Sequence, residues 1–441
     1  MTQHTDFDMP SAEVIAAQTA RPMPRMVTII SAVFAIIGAL VFIIGAVTGQ
    51  ARVWQALHFN WLFFASVSQA GVVFVAVQRI TTARWSRPVV RLLEGYVAFL
   101  PVAFLLLILI FLGGHHVFTW ATQEAPAPEK RFYLNYAFVA TRDIVAFAIL
   151  TLLSVWYIYT SVRLDVGRLP EAGAAWARGI RERMRRGFRD ERREIHSTHS
   201  LQGKIAVWLC LLFNFGFLLL AWDLSMSLDL FFQSTMYGWW FYMGGWVAAL
   251  MSWSLLTMWW RRYLAADDYI TEHHFHDLGK LGFAFTVFWG YLTFAQYLVI
   301  WYGNLPEETH WFHLRLIQPW TGITLAVVAL AFVLPFFGLL SRAAKVFLPT
   351  FVLFSACSVV GIWLLRYVEV YPSLYWKSNS APFGIWEIGV TLGYLGLWGL
   401  CYRAFMDAFP RMRVTLMTSP YRDEVQVPCD PETMEPLPAH E

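Results

Sequence analysis

The sequence predicts an all-α polytopic membrane protein with ten transmembrane helices, and three observations carry that expectation. Of the 441 residues, 58% are hydrophobic and only 14% charged. The apolar residues come in blocks of about twenty, the length a helix needs to cross a hydrocarbon core, rather than in amphipathic stripes. Lys and Arg gather in every second connection, as they do when those connections stay in the cytoplasm. Helices satisfy their own backbone polar groups in hydrocarbon, and no alternating ten-residue pattern suggests a barrel.

The spans follow in order as 27–47, 57–79, 92–113, 137–160, 203–222, 236–260, 277–302, 318–341, 346–368 and 384–406. Segment 1–26 ends in Arg21 and Arg25, and the first span is longer than a signal-peptide core, so it is expected to be retained. Arg79, Arg84, Arg87 and Arg91 fill the second connection. The segment 161–202 is rich in arginine but mixes in Glu182, Asp190, Glu191 and Glu194, which reads as a solvated helix held by near-neighbour ion pairs or as a surface for anionic lipid or a partner subunit. It divides the chain into a first helix group, 27–160, and a second, 203–406. Arg261 and Arg262, then Arg342 and Lys345, then Arg411 and Arg413 continue the alternation, placing both termini in the cytoplasm. The tail 407–441 is rich in Pro and acid beyond Phe409 and is expected to be unstructured.

Ionisable groups inside apolar spans are costly unless they face a partner or water, so each is a functional candidate. His58, His115, His116, Arg142, Asp143, Asp223, Asp229, Arg366, Glu369 and Glu387 fall on the outer side; Glu94, His273, His274, His276, Asp277 and Lys280 fall on the cytoplasmic side. Adjacent helix residues point about 100° apart, so Arg142 and Asp143 each need a neighbour on another helix. For Asp143 that neighbour is an arginine such as Arg366, in a structural ion pair, or a proton-exchanging partner. Arg366 and Glu369, three apart, are expected to pair locally. Gln296, among Tyr291, Phe294, Tyr297 and Trp301, fits an interhelical hydrogen bond.

Cys210, Cys357, Cys401 and Cys429 are scattered with no haem-attachment or iron-sulfur spacing, and the histidines sit at helix ends, so no haem, cluster or other metal is expected on this chain. His276 and Lys280 share one face at the cytoplasmic mouth of the seventh span, beside Asp277. That is either a proton-exchanging entrance or an interfacial helix start with Asp277 near the positive dipole end.

Five stretches carry a family resemblance: HFNWLFFASVSQAG (58–71), ARWSRPVVRLLE (83–94), AWDLSMSLDLFFQSTMYGWW (221–240), HDLGKLGFAFTVFWGYLTFAQYLVIWYGNLPEE (276–308) and APFGIWEIGVTLGYLGLWG (381–399). In order, they resemble the NrfD/PsrC-like quinone-type membrane subunits of bacterial alternative complex III, a quinol:electron-acceptor oxidoreductase. Two departures stand out. Asp229 is followed by Leu230, Phe231 and Phe232 where the family has Pro-His-Trp, and Gln78 stands where a histidine is expected.

The resemblance implies two four-helix bundles plus peripheral helices in a bacterial inner membrane. It also implies as partners a sister NrfD-like membrane subunit, an iron-sulfur/molybdopterin-like subunit, multihaem cytochrome c subunits, a small membrane protein and lipid, with no nucleic acid. The principal quinol site would lie in the sister subunit. Here His116, Asp143 and Asp223 are expected to approach one another as a pocket for a quinone, menaquinone or ubiquinone. A proton route is expected from Glu94, His276, Asp277 and Lys280 through Tyr291, Gln296 and Ser252 to Asp143, Asp223 and Glu387, with Arg142, Arg366 and Glu369 as structural ion-pair residues. A secondary transporter, or a subunit whose buried charges only fix helix register, are the alternatives.

Overall fold

The computed structural model describes residues 10–122 and 128–425, and every regular element among them is helical. Ten long helical runs overlap the ten expected spans: α1 Arg25–Val47, α2 Ala51–Ile80, α3 Val90–Leu112, α4 Tyr136–Arg168, α5 Glu191–Leu224, α6 Tyr237–Leu264, α7 Glu272–Gly303, α8 Thr321–Gly338, α9 Leu348–Leu374 and α10 Ile385–Ala408. Eight of them are long and apolar enough to cross a membrane. The helices α6 and α10 fall short of that hydropathy because Trp, Tyr and Gly replace aliphatic residues in them. Their length is still that of a bilayer crossing, since even α10 has 24 residues.

Helix α2 occupies the centre, buried along nearly its whole length. It packs on α3 and α5; α3 packs on α4 and α4 on α5, closing one circuit of four helices. A second circuit runs α6 to α7, α7 to α8, α8 to α9 and α9 back to α6. Helices α1 and α10 form a pair against α2. Local sequence explains the irregularities. Pro101 lacks an N–H, and the turns just before it, Gly95–Phe99, tighten into a 3₁₀ stretch inside α3. Pro335 likewise accompanies a π-bulge over Ala329–Val333 in α8, where Gly361 of α9 lets the backbones approach: a Cβ on Gly361 would meet the Ala331 nitrogen at 2.5 Å.

Glycine sets the α1–α10 contact. A Cβ on Gly393 would sit 2.9 Å from the Gly38 Cα, and one on Gly396 would lie 2.3 Å from the Ala35 nitrogen. Without a hydrophobic drive between lipid-exposed helices, close backbone approach supplies the dispersion energy that holds such a pair. Gly393→Leu is expected to lower stability by about 1–3 kcal/mol through overpacking, measured as a lower unfolding temperature in detergent. Gly303→Ala, where nothing lies within 4 Å of the added Cβ, should leave that temperature unchanged.

The arginine-rich connections meet at one end. The Arg21 guanidinium donates to the Tyr263 carbonyl at 3.2 Å, Arg411 Nη1 donates to the Thr19 carbonyl at 2.7 Å, and the Ala174 N–H donates to the Asp407 carbonyl at 2.7 Å. The chain's described beginning and end are thus on the same side of the helices. Segment 161–202 is folded into this layer: α4 runs on to Arg168, a helix covers Arg178–Arg185, and α5 begins at Glu191. Its ion pairs cross between helices, Arg163 to Glu194 at 2.5 Å and Arg168 to Glu191 at 3.1 Å, rather than lying along one.

One expectation is overturned. Residues 409–425 are packed, with a helix over Val414–Thr418, because Arg411 and Arg413 are drawn into buried acceptors and Val414 and Met417 into the core. The remainder of the expected unstructured tail, 426–441, lies outside the described residues.

Candidate functional site

Two buried polar layers lie at the two ends of α4. Asp143 sits in its second turn and Asp165 in its last, and 22 residues of helix separate them by about 33 Å, the thickness of a hydrocarbon core. In the first layer, Arg142 clamps Asp223 of α5 in a fork, Nε to Oδ2 at 2.7 Å and Nη2 to Oδ1 at 2.6 Å. This geometry is the strong, bidentate form of an arginine–carboxylate contact. The Arg142 guanidinium also lies over the Tyr133 ring, 3.9 Å from its centroid. Asp143, fully buried, lies against the Asp223 carboxyl, and neither of its oxygens accepts a hydrogen bond from a donor among the described residues. Two carboxyl groups therefore face one guanidinium. The requirement that Arg142 and Asp143 find partners on another helix is met by a single residue, Asp223.

An open groove of about 530 Å³ adjoins this layer, lined by Tyr133, Trp222, Met226, Gln233 and Gln296 among others. Trp222 Nε1 and Gln296 Oε1 are buried there without partners among the described residues, one donor and one acceptor. Burial and the neighbouring Asp223 carboxylate hold the Tyr133 phenol above its ordinary pKa, so it stays protonated beside that acid.

The opposite layer is a tetrad. Glu94 of α3 accepts from Arg91, from Arg413 Nε at 2.8 Å and from Ser161 Oγ at 2.7 Å; Asp165 accepts from Arg91 and from the Thr415 N–H at 2.8 Å. Two acids and two guanidinium groups balance, and Arg91, Glu94 and Asp165 are essentially removed from solvent. Between the layers, the inward face of α4 carries Thr151, Ser154, Tyr157, Thr160 and Ser161. Gln69 Nε2 donates to Ser154 Oγ at 2.7 Å and Gln202 Nε2 to Thr160 Oγ1 at 3.2 Å. Buried Phe147 fills the turn between Asp143 and Thr151.

The other expected residues are distributed differently. His116 stacks on Trp54 at 5.8 Å and meets the tilted His115 ring at 3.9 Å, and its backbone carbonyl accepts from Gln55; no contact joins it to Asp143 or Asp223 among the described residues. Burial and His115 push its imidazole below the ordinary value. Its place at the end of the third span put it at the right depth but on the α2 side. Tyr291 is 60% exposed on the outside of α7, so it faces away from any interior route. Lys280 and Asp277 pair at 2.7 Å near the surface, with His276 close by. Ser252 meets Tyr96, 2.8 Å apart. Glu387 is fully engaged by Arg52 at 2.7 Å, the Tyr371 hydroxyl at 2.9 Å and the Gly384 N–H at 2.8 Å, which makes it a structural anchor. Arg366 pairs with Glu369 at 2.7 Å, as the i, i+3 spacing predicts.

Sequence reasoning missed Arg52, Arg91, Asp165 and Arg413 as buried partners, since each stands at a helix end or in a connection that hydropathy treats as solvated. It also missed a partner for Asp229. Asp229 is faced by His310, from the helix Pro306–Leu316, whose Nδ1 lies 3.5 Å from Asp229 Oδ2. Among the described residues no group of three or more His, Cys, Asp or Glu could hold a metal ion. No known family model and no curated protein matches the chain.

Proposed function

We propose that this chain is an ActF-type, NrfD/PsrC-like membrane subunit of a quinol:electron-acceptor oxidoreductase of the alternative complex III kind, with ten spans and both termini in the cytoplasm of a bacterium. The five sequence stretches support the family, and the two closed circuits of four helices support its two bundles with a peripheral pair. The arginine-rich end supports the orientation. Its partners on this reading are the sister subunit, the iron-sulfur/molybdopterin-like subunit and the multihaem cytochromes.

The observation that carries a quinone-type site is the groove in which Trp222 Nε1 and Gln296 Oε1 are both unpaired. A quinone offers carbonyl acceptors and a hydroquinone offers hydroxyl donors, so the indole and the amide oxygen suit the two redox forms. Asp143 and Asp223 stand behind Tyr133 to accept the protons released on oxidation, and the two electrons pass to a redox centre of a partner subunit. The pocket so defined uses Asp143 and Asp223 with Trp222 and Gln296 in place of His116. The polar face of α4 is the path along which ordered water would carry protons between the layers.

The test is purification of the tagged chain from its own membrane, followed by labelling with an azidoquinone. Haem c polypeptides should co-purify, and the labelled peptide should contain Trp222 or Gln296. A chain that purifies alone rejects the complex, and a label confined to the sister subunit rejects the groove. The Arg52–Glu387 and Arg366–Glu369 ion pairs favour an architectural role for those residues alone.

A further inference from the structure

A second cavity lies at the arginine-rich end, away from the groove, between the end of α2, the connection to α3, and α5. Its space of about 60 Å³ is several times what one water occupies, and it is far smaller than a quinone ring with its tail requires. Gln78, Arg79, Thr82, Ser86, His199 and Arg413 are among its walls, and no acidic side chain is among the described residues that line it.

Its donors outnumber its acceptors. Gln78 is 6% exposed; its Oε1 accepts from the Ser86 hydroxyl, which fixes the amide so that Nε2 is left without an acceptor among the described residues. Arg79 gives one Nη2 hydrogen bond to the His199 carbonyl at 2.7 Å, while its Nε is buried with no acceptor and no carboxylate pairs with it among the described residues. Arg413, on the same wall, is already matched by Glu94. A buried donor without an acceptor costs about 1–3 kcal/mol, and a buried cation without an anion costs more. Thr82 holds the connection in a left-handed turn, φ 51°, which a threonine seldom adopts.

We propose that this cavity binds a phosphate oxyanion, held by the Gln78 amide and the Arg79 guanidinium. A planar guanidinium and an amide N–H are the donors phosphate oxygens take elsewhere, and the site lies at the helix ends, the level of phospholipid headgroups. The same chemistry is offered by an anionic phospholipid and by free phosphate. The inference is independent of the quinone groove and of the partners proposed above.

Gln78→Glu provides the test, because it keeps the acceptor for Ser86 and places a carboxylate beside Arg79, supplying an anionic partner covalently. The purified full chain in neutral detergent is titrated with short-chain phosphatidylglycerol, with inorganic phosphate, and with sodium chloride at matched ionic strength, following thermal unfolding. The wild type should show a saturable rise with phosphatidylglycerol or phosphate but not with chloride. Gln78→Glu should melt at or above the unliganded wild type and bind at least tenfold more weakly. A response to phosphatidylglycerol alone assigns a lipid headgroup, and a response to phosphate as well assigns a free anion site. Arg79→Gln, which keeps the length but removes the charge, should also lose the response. An equal response in both variants, or none in the wild type, overturns the proposal.

Discussion

Glu94→Gln is expected to destabilise the protein by about 3–5 kcal/mol, the cost of breaking a buried ion pair on one side. The tetrad at the arginine-rich end is neutral only as a whole. Arg91 would keep Asp165, but Arg413 has Glu94 as its acid partner, and the replacing amide keeps one oxygen and turns an N–H₂ toward Arg413 or Arg91, which donate to the two carboxylate oxygens in the native protein. Unfolding in mixed detergent should register the loss. The double variant Glu94→Leu with Arg413→Met should recover part of it, since a buried pair replaced by apolar groups of similar volume is often neutral or better. With the single variants Glu94→Leu and Arg413→Met the cycle separates two accounts: a coupling of about 1–3 kcal/mol marks a pair whose members matter to one another, whereas additive losses would mean that each residue serves only its own neighbours. The tetrad also ties three separate pieces of chain, α3, α4 and the segment after α10, so its loss should free residues 409–425 first, visible as faster amide exchange there.

How much of this was legible in the sequence depends on which physical signal was in play. The long apolar runs fixed all ten helical stretches to within a few residues at most ends, because length and hydropathy are local properties. They failed where a helix runs past its apolar part: α5 begins at Glu191 although its apolar run begins near 203, since its first turns pack on other protein segments instead of lipid. Depth was legible too, and it correctly grouped Asp143 with Asp223. Azimuth was not. His116 shares their depth but lies around the bundle, and Tyr291 points outward; nothing in one sequence sets the rotation of a helix whose residues are apolar on all sides, as the near-zero amphipathicity of α2 and α7 illustrates. The same limit hid Trp222 and its meeting with Gln296 at one groove, which depends on how α5 and α7 are turned. Loop residues were hidden for another reason. Arg413 and His310 belong to connections read as solvated, and only tertiary folding brings them to Glu94 and Asp229.

Asp143→Asn should leave the fold intact and abolish the carboxyl pair's capacity to take up a proton, the largest functional effect expected here. Asp143 and Asp223 lie together with one guanidinium, and the fork from Arg142 goes to Asp223. An asparagine at 143 can give its amide N–H to the Asp223 carboxylate, so the contact survives while the exchangeable proton does not. Asp223→Asn is the opposite case: it removes the acid that Arg142 clamps, and it should cost about 3 kcal/mol of stability. In vesicles containing the assembled complex, Asp143→Asn should retain electron transfer from quinol yet move fewer protons per electron. If the pair instead receives protons directly from a hydroquinone in the groove, electron transfer itself should fall by 10²-fold or more, the typical contribution of a positioned acid or base. Trp222→Phe should then raise the half-saturating quinol concentration without the same loss of turnover, because it removes a ground-state hydrogen bond. Unchanged stoichiometry and unchanged turnover in an assembled Asp143→Asn complex would leave the two carboxyl groups with a structural role only. The distinction holds because asparagine can keep the contact with the Asp223 carboxylate that a structural role would require, so any functional loss is attributable to the proton.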